Sequence, residues 1–279
     1  MFYKDVNGKG EVFSTATVLL LHGFPTTSYD WVKMWPILTQ SFSRVIAVDF
    51  LGFGFSDKTI GANYTIMNQA DHVSTLLKAI GVKNVHILSH DYGDSIAQEL
   101  LARQNEGVSL FQIESACLLN GGMFKETNFP RPIQKLLGDS PAIGRLISKI
   151  SNRYLFSFGL SQVFGAKTQP TEEDMYDFWC SYCIRQGYLN SADLLQYIKE
   201  RSTYNLRWRY ALAQSQVPVH VIYGPSDPVN PRPFIDFYRE MVPNGSIDVL
   251  EESIGHYPQW EDSNTVSQLY IKFINIVLK

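Results

Sequence analysis

Short apolar runs alternate with longer amphipathic segments along most of the chain. The apolar runs predict strands at 17–21, 45–49, 84–88, 115–119, 218–223 and 246–250. The segments between them predict helices at about 28–39, 66–80, 95–103, 233–241 and 263–277. Continuous apolar strands separated by helices are typical of a parallel sheet that is covered on both faces. The pattern therefore predicts an α/β fold.

The alternation breaks off in the middle of the chain. From residue 125 to residue 209 the pattern is aromatic and helical, with prolines at 130, 132, 141 and 170 and no clear strand. Strand and helix then alternate again up to the last residues. We therefore expect a core domain made of 1–124 and 210–279, and a helical cap domain at 125–209.

Composition narrows the function classes. The chain has 279 residues, of which 45% are hydrophobic, and a formal net charge of -3. These values are typical of a globular protein and give no basic surface for nucleic acid. No apolar run approaches the 18 residues that a membrane helix needs, so no membrane segment is predicted in this chain.

Cysteine usage and the first residues bear on the compartment. Three cysteines are an odd number and do not describe a disulfide framework, and the charged start lacks the features of a secretory signal. We expect a cytoplasmic or otherwise soluble intracellular protein, while membrane association through a segment outside this chain stays open. The C-x-x-C at 180–183 has no second ligand pair, so neither a metal nor a cofactor is predicted.

The segment around Asp91 has the form of a nucleophile elbow. An apolar strand leads to Ser89, then to Asp91 and Gly93, and a helix follows. The turn of such an elbow is so tight that small residues are needed two positions on either side of the central residue, whose side chain projects above the sheet. Here that residue is a carboxylate, which can act as a covalent nucleophile through an ester. Capping of the following helix is the alternative role for Asp91.

Two further residues follow in the order that a hydrolase triad requires. Asp227 follows the strand at 218–223, and His256 lies in the loop after the last strand. We predict that His256 is the general base and that Asp227 holds its ring in the productive tautomer. The turn His22-Gly-Phe-Pro25 closes the first strand, so the amides of Phe24 and Tyr92 are predicted to form an oxyanion hole.

These motifs resemble the epoxide hydrolase and haloalkane dehalogenase branch of the α/β-hydrolases, and more closely the mesoderm-specific transcript protein family. The resemblance covers nearly the whole chain and implies a mostly parallel, eight-stranded sheet flanked by helices, with a helical cap. It is carried by the stretches 20–31, 45–58, 88–94, 195–198 and 223–231.

The resemblance implies a two-step reaction on a small apolar electrophile, with water as co-substrate and an epoxide as the favoured substrate. Asp91 would form an alkyl ester, and His256 would activate water to hydrolyse it. Related enzymes donate a proton from two cap tyrosines; Tyr197 resembles the second, whereas the stretch from Tyr154 to Gly159 places phenylalanines where the first is expected.

Two alternatives remain. A haloalkane dehalogenase needs donors for the halide; Phe24 offers none, so Trp31 or Trp179 would have to serve. Asp94 departs from the small residue usual in the family and would lie close enough to Asp91 to raise its pKa. A ligand-binding or receptor protein on a hydrolase scaffold is the alternative outside the enzymes.

Overall fold

A twisted central sheet organises the molecule. The computed structural model describes residues 1–139 and 141–279, and within them seven strands form one sheet in the order β1-β3-β2-β4-β5-β6-β7. β1 runs antiparallel to β3, and all other neighbours are parallel. The strands are β1 (Phe2–Asn7), β2 (Phe13–Leu21), β3 (Phe42–Asp49), β4 (Asn84–His90), β5 (Gln112–Leu119), β6 (Val219–Tyr223) and β7 (Ser246–Val249).

The six predicted strands are confirmed, and β1 is an addition to them. The expectation of eight strands is wrong for the described residues, which contain seven. β1 escaped prediction because it lies at the edge of the sheet, with almost every residue exposed, and so has no buried face to impose an alternating pattern.

Thirteen α-helices are described. They are α1 (Trp35–Ser41), α2 (Ile66–Ala79), α3 (Tyr92–Asn105), α4 (Pro132–Asp139), α5 (Pro141–Lys149), α6 (Arg153–Ser161), α7 (Glu172–Cys183), α8 (Ser191–Leu194), α9 (Tyr197–Thr203), α10 (Asn205–Ala213), α11 (Pro233–Met241), α12 (Pro258–Glu261) and α13 (Ser263–Val277). Short 3-10 helices cover Ser28–Trp31 and Ile184–Asn190.

Both faces of the sheet are covered, as the continuous apolar strands predict. In β2, Leu19 and Leu21 belong to a core layer shared with α2, α3, α10 and α11. Their neighbours Val18 and Leu20 belong to the opposite layer, shared with α1 and α13. This alternation follows from the two-residue period of a strand, so one apolar run serves two cores.

Helices α4 to α9 lie between β5 and α10 in the chain and supply the predicted helical insertion. Ser140 lies within the predicted cap range but outside the described residues. α10 begins at Asn205, before the predicted boundary at 209, and packs against α3. None of the described helices combines the length and the apolar character needed to cross a bilayer.

Candidate active site

Asp91 lies at a strained turn between β4 and α3. Its φ is 45° and its ψ is −100°, in a backbone region that residues other than glycine seldom adopt. The turn is tight because Gly93 packs against β2, where a Cβ would come within 2.3 Å of the Leu21 carbonyl oxygen. The Asp91 amide donates to the Leu119 carbonyl at 3.2 Å. The carboxylate is therefore held at the carboxyl end of β4, as the elbow motif predicts.

Asp227 and His256 lie after β6 and β7 and are joined by a hydrogen bond. His256 Nδ1 is 2.8 Å from Asp227 Oδ2, so Nδ1 carries a proton and Nε2 is the ring nitrogen that faces away from Asp227. The same carboxylate accepts from the side-chain amides of Asn120 and Asn230, each at 3.0 Å. Burial raises the pKa of Asp227, but His256 and the two amides outweigh it and hold that pKa below its usual range.

The electrostatics of His256 favour the charged ring. Burial lowers its pKa, but the Asp227 carboxylate and, to a smaller extent, Asp91 raise it to about 9. The backbone is fixed too, since the His256 amide donates to the Val163 carbonyl at 2.9 Å. The imidazolium state is thus stabilised on both sides by carboxylates.

Both oxygens of the Asp91 carboxylate have partners. Oδ2 accepts from the Phe24 amide at 3.1 Å, which places that oxygen at the predicted oxyanion hole. Oδ1 accepts from Arg201 Nη2 at 3.1 Å, and the same nitrogen donates to the Asp91 carbonyl at 2.8 Å. Burial raises the pKa of Asp91, yet Arg201 and His256 together bring it below its usual value. Asp91 is therefore ionised near neutral pH.

Arg201 was missed by the sequence analysis. It is buried on α9 beside Ser95, to whose hydroxyl its Nε donates at 2.9 Å. Its guanidinium lies over the Tyr197 ring, 4.6 Å from the centroid. The one sequence signal was the i,i+4 spacing from Tyr197 to Arg201, which puts both on the same helix face.

His22 fixes the conformation of the turn that follows β2. Its Nδ1 donates to the Gly23 carbonyl at 2.8 Å, and its Nε2 accepts from the Phe50 amide at 3.1 Å. Burial lowers the pKa of His22, which keeps the ring neutral, as this pattern of one donor and one acceptor requires. The turn so fixed aims the Phe24 amide at Asp91.

A cavity of about 570 Å³ opens in front of the carboxylate. Of the predicted site residues, Asp91, His256, Phe24 and Tyr197 line it, and Asp227 lies behind His256. The remaining wall is mostly apolar and comes from the helical segment α4 to α7 and the loops around it. Such a cavity suits an apolar small molecule held against a few polar groups.

The Tyr92 side chain points into the core, so only its backbone amide is placed to form the predicted oxyanion hole. Its ring is fully buried against Phe50 and Phe53, and its hydroxyl donates to the Tyr64 carbonyl at 3.3 Å. Its amide follows Asp91 directly, at the first residue of α3, where helix amides carry partial positive charge.

The predicted substrate-binding role of Trp31 is corrected by its position. Trp31 is fully buried in the core layer of α1 and α13, among residues such as Val18 and Met34, and does not line the cavity. The 3-10 helix at Ser28–Trp31 turns the indole into the interior. Trp179 packs against Phe156 and Tyr182 and lies outside the cavity wall as well.

The tyrosines of the helical segment are distributed unexpectedly. Tyr154 is exposed to solvent, whereas Tyr182 lines the cavity and hydrogen-bonds to Ser191. Tyr197 is buried between Phe24 and Tyr92. Tyr182 was missed because its approach to the cavity depends on the kink after α7, where two residues have positive φ.

The pKa of Asp91 stays low although Asp94 is close to it. It is buried and accepts from the Ser89 hydroxyl, and burial raises its pKa well above the usual value. The Asp91 charge contributes to that rise, while the pKa of Asp91 itself is lowered. Within the described residues, no group of three His, Cys, Asp or Glu side chains is placed to hold a metal ion.

Comparison with known proteins agrees with this architecture. The profile of the Alpha/beta hydrolase family matches residues 18–268. Among solved structures, the epoxide hydrolase CorEH superposes with a TM-score of 0.77 at 20% identity, covering 99% of this chain and 100% of that one. A thermophilic esterase from Thermogutta terrifontis gives the same TM-score at 18% identity, covering 99% and 93%. These likenesses establish the fold.

Sequence relatives place the chain more closely. A putative hydrolase, LipZ, of Mycobacterium tuberculosis is 34% identical over 88% of this chain and 84% of its own length. The mesoderm-specific transcript protein of Mus musculus is 47% identical over 99% of this chain and 83% of its own length, and the Homo sapiens homolog matches equally well. The chain therefore belongs to the alpha/beta hydrolase family and, within it, to the mesoderm-specific transcript proteins.

Proposed function

We propose that the protein is a hydrolase that uses Asp91 as a nucleophile and passes through an alkyl ester, with epoxides as its substrates. The observation that carries this proposal is the pair of contacts made by the Asp91 carboxylate. One oxygen, Oδ2, is held by the Phe24 amide, and the other, Oδ1, is held by Arg201 beside the apolar cavity that His256 also lines. A carboxylate so divided has one oxygen for the oxyanion hole and one for attack.

In the first step, Asp91 Oδ1 attacks an oxirane carbon and the carbon–oxygen bond of the ring breaks. The electron pair goes to the ring oxygen, which takes a proton from a tyrosine hydroxyl. Tyr197 is our candidate donor because it lines the cavity and lies close enough to Asp91 that burial, together with that charge, raises the pKa of its hydroxyl. Tyr182, held by Ser191, is a second phenol in the same wall.

In the second step, His256 Nε2 takes a proton from water, and the hydroxide attacks Cγ of Asp91, the carbon of the ester. The amides of Phe24 and Tyr92 stabilise the charge on the tetrahedral oxygen. Collapse releases the diol oxygen, which takes the proton from His256, and the carboxyl proton returns to the tyrosine. Ester formation also removes the Asp91 charge, one of the causes that raise the pKa of His256, so the ring becomes a better base when it is needed.

The cavity wall favours an epoxide over a haloalkane as the substrate. Dehalogenation needs N–H donors for the departing halide, and Trp31 and Trp179 both lie outside the cavity wall. Arg201 is the cation that borders the reacting oxygen, and it can stabilise the alkoxide of an opening epoxide.

The proposal is tested with three variants and a panel of epoxides, haloalkanes and esters. Asp91→Asn is expected to abolish turnover. His256→Gln is expected to accumulate a substrate adduct on the peptide that contains Asp91, seen by mass spectrometry. Asp71→Asn, an exposed aspartate on α2, serves as the control and should retain activity.

Two results would overturn the proposal. Full turnover by Asp91→Asn would exclude the nucleophile. Tight binding of epoxides without any diol from the unaltered protein would instead favour a ligand-binding protein on this scaffold.

A further inference from the structure

The mouth of the cavity is rimmed by exposed apolar side chains. Ile133, Ile150, Leu155 and Phe158 line the cavity, yet about half or more of each side chain is open to solvent. A residue that both lines a cavity and faces solvent must lie at its opening. These residues come from α4, α6 and the turn before α6.

The apolar surface extends outward from this rim. Leu136 on α4, Leu146 on α5 and Tyr154 on α6 do not line the cavity, and each exposes more than half of its surface. Soluble monomers seldom expose large contiguous apolar patches unless the patch meets another surface. We call the seven residues, namely Ile133, Leu136, Leu146, Ile150, Tyr154, Leu155 and Phe158, the rim patch.

The segment that carries the rim patch is basic although the chain is acidic overall. Residues 131–161 carry five basic side chains and one acidic one, a balance of +4, against -3 for the whole chain. The basic residues are Arg131, Lys135, Arg145, Lys149 and Arg153. Lys135 and Lys149 are exposed beside the apolar residues. Apolar side chains interspersed with Lys and Arg are typical of surfaces that bind the headgroup region of anionic bilayers.

We propose that the rim patch docks on an anionic phospholipid bilayer, so that the cavity opens toward the membrane and receives apolar molecules dissolved there. A bilayer matches the patch in both of its properties, since acyl chains accept the apolar side chains and headgroup phosphates attract the lysines. It also explains why four of the exposed apolar side chains line the cavity. The docking goes beyond the proposed chemistry and does not require it.

The test is flotation of the full chain with vesicles of phosphatidylcholine, with and without phosphatidylserine. We expect co-flotation with the anionic vesicles, weakened by salt. The double variant Leu146→Glu/Tyr154→Glu should lower this binding about tenfold or more. The matched control is Ile276→Glu on α13, because Ile276 is 64% exposed and Leu146 is 66% exposed. The control should bind like the unaltered chain.

A second pair of variants tests the charge. Lys135→Glu/Lys149→Glu should weaken binding to anionic vesicles about tenfold or more, since each lysine near such a surface contributes to the attraction. Lys78→Glu/Lys83→Glu, at exposed positions away from the patch, should have little effect. None of these residues lines the cavity, so turnover of a water-soluble epoxide is expected to stay unchanged and reports on the chemistry separately.

Three outcomes would overturn the docking proposal. Absence of flotation with either vesicle is the first, and equal flotation of all variants is the second. The third is self-association in sedimentation experiments that Leu146→Glu/Tyr154→Glu abolishes, because it would assign the patch to a second copy of the chain.

Discussion

At the residue scale, the contact between Arg201 and Asp91 sets the charge of the proposed nucleophile. Burial alone raises the pKa of this carboxyl, and Arg201 is the largest influence that lowers it. In Arg201→Gln the pKa of Asp91 should therefore rise. The acidic limb of kcat/KM against pH is expected to move upward by the same amount, and Arg201→Lys should move it less.

The control for this experiment is Arg44→Gln, which removes a partly buried ion pair with Asp5 outside the cavity wall. Its pH profile should match that of the unaltered protein. An unmoved acidic limb in Arg201→Gln would show that the guanidinium does not govern the ionisation of Asp91.

Local signatures decide which residues the sequence could reveal. Asp91 is flanked by the small residues of its elbow, and Asp227 and His256 each follow a recognisable strand, so their approach could be predicted. Arg201 and Asn120 reach the same site from distant segments, and no local pattern marks them. Trp31 shows the converse error, because an aromatic residue near a motif can equally well face the core.

At the scale of the elements, Glu200 links the start of α2 to α9. Its carboxylate accepts from the Ile66 amide at 3.1 Å and is nearly buried. Burial raises its pKa from 4.5 to about 7. The folded state therefore binds a proton that the unfolded state releases between these values, so stability from this residue is present below pH 4.5 and is lost as pH rises to about 7.

Glu200→Gln should remove this dependence while keeping an oxygen for the Ile66 amide. We expect the variant to be more stable than the unaltered protein at pH 8, by up to about 3 kcal/mol, and similar to it near pH 4.5. Urea unfolding at the two pH values measures the difference. An equal effect of the substitution at both values would contradict the assigned titration.

The predicted boundaries of helices and strands agree with the structure only where the local pattern determines them. The bounds of α11 and α13 agree with those predicted, because each has a clear apolar stripe. α3 begins three residues before its predicted start, since the elbow passes into the helix without a capping side chain. β1 and the early start of α10 depend on packing against β3 and α3, which the sequence does not display.

At the scale of the whole molecule, Glu99 fastens the end of the helical insertion to the core. This buried carboxylate on α3 accepts from Arg207 Nε at 2.8 Å and from the Trp208 indole at 3.0 Å, both on α10. It also accepts from Arg103 at 2.8 Å. Glu99→Ala removes the buried acceptor of the Trp208 indole and the buried half of the ion pairs of Arg207 and Arg103, which keep Glu106 and Asp71 at the surface. The free energy of unfolding should therefore fall by about 3 kcal/mol.

The matched control is Glu106→Ala. Glu106 pairs with the same Arg207, but its side chain is half exposed, so its loss should cost less than about 1 kcal/mol. Denaturant unfolding of both variants measures the contrast. Equal losses would show that burial does not distinguish the two ion pairs.

The ion pair between α9 and the elbow also has a consequence for motion. Arg201 belongs to the helical insertion and Asp91 to the sheet, so displacement of α9 would separate them and leave the carboxyl with its burial penalty. Thermodynamic linkage makes this coupling reciprocal. If the contact with α9 favours the ionised form of Asp91, protonation of Asp91 weakens that contact by the same free energy. Acid would therefore favour separation of α9 from the elbow.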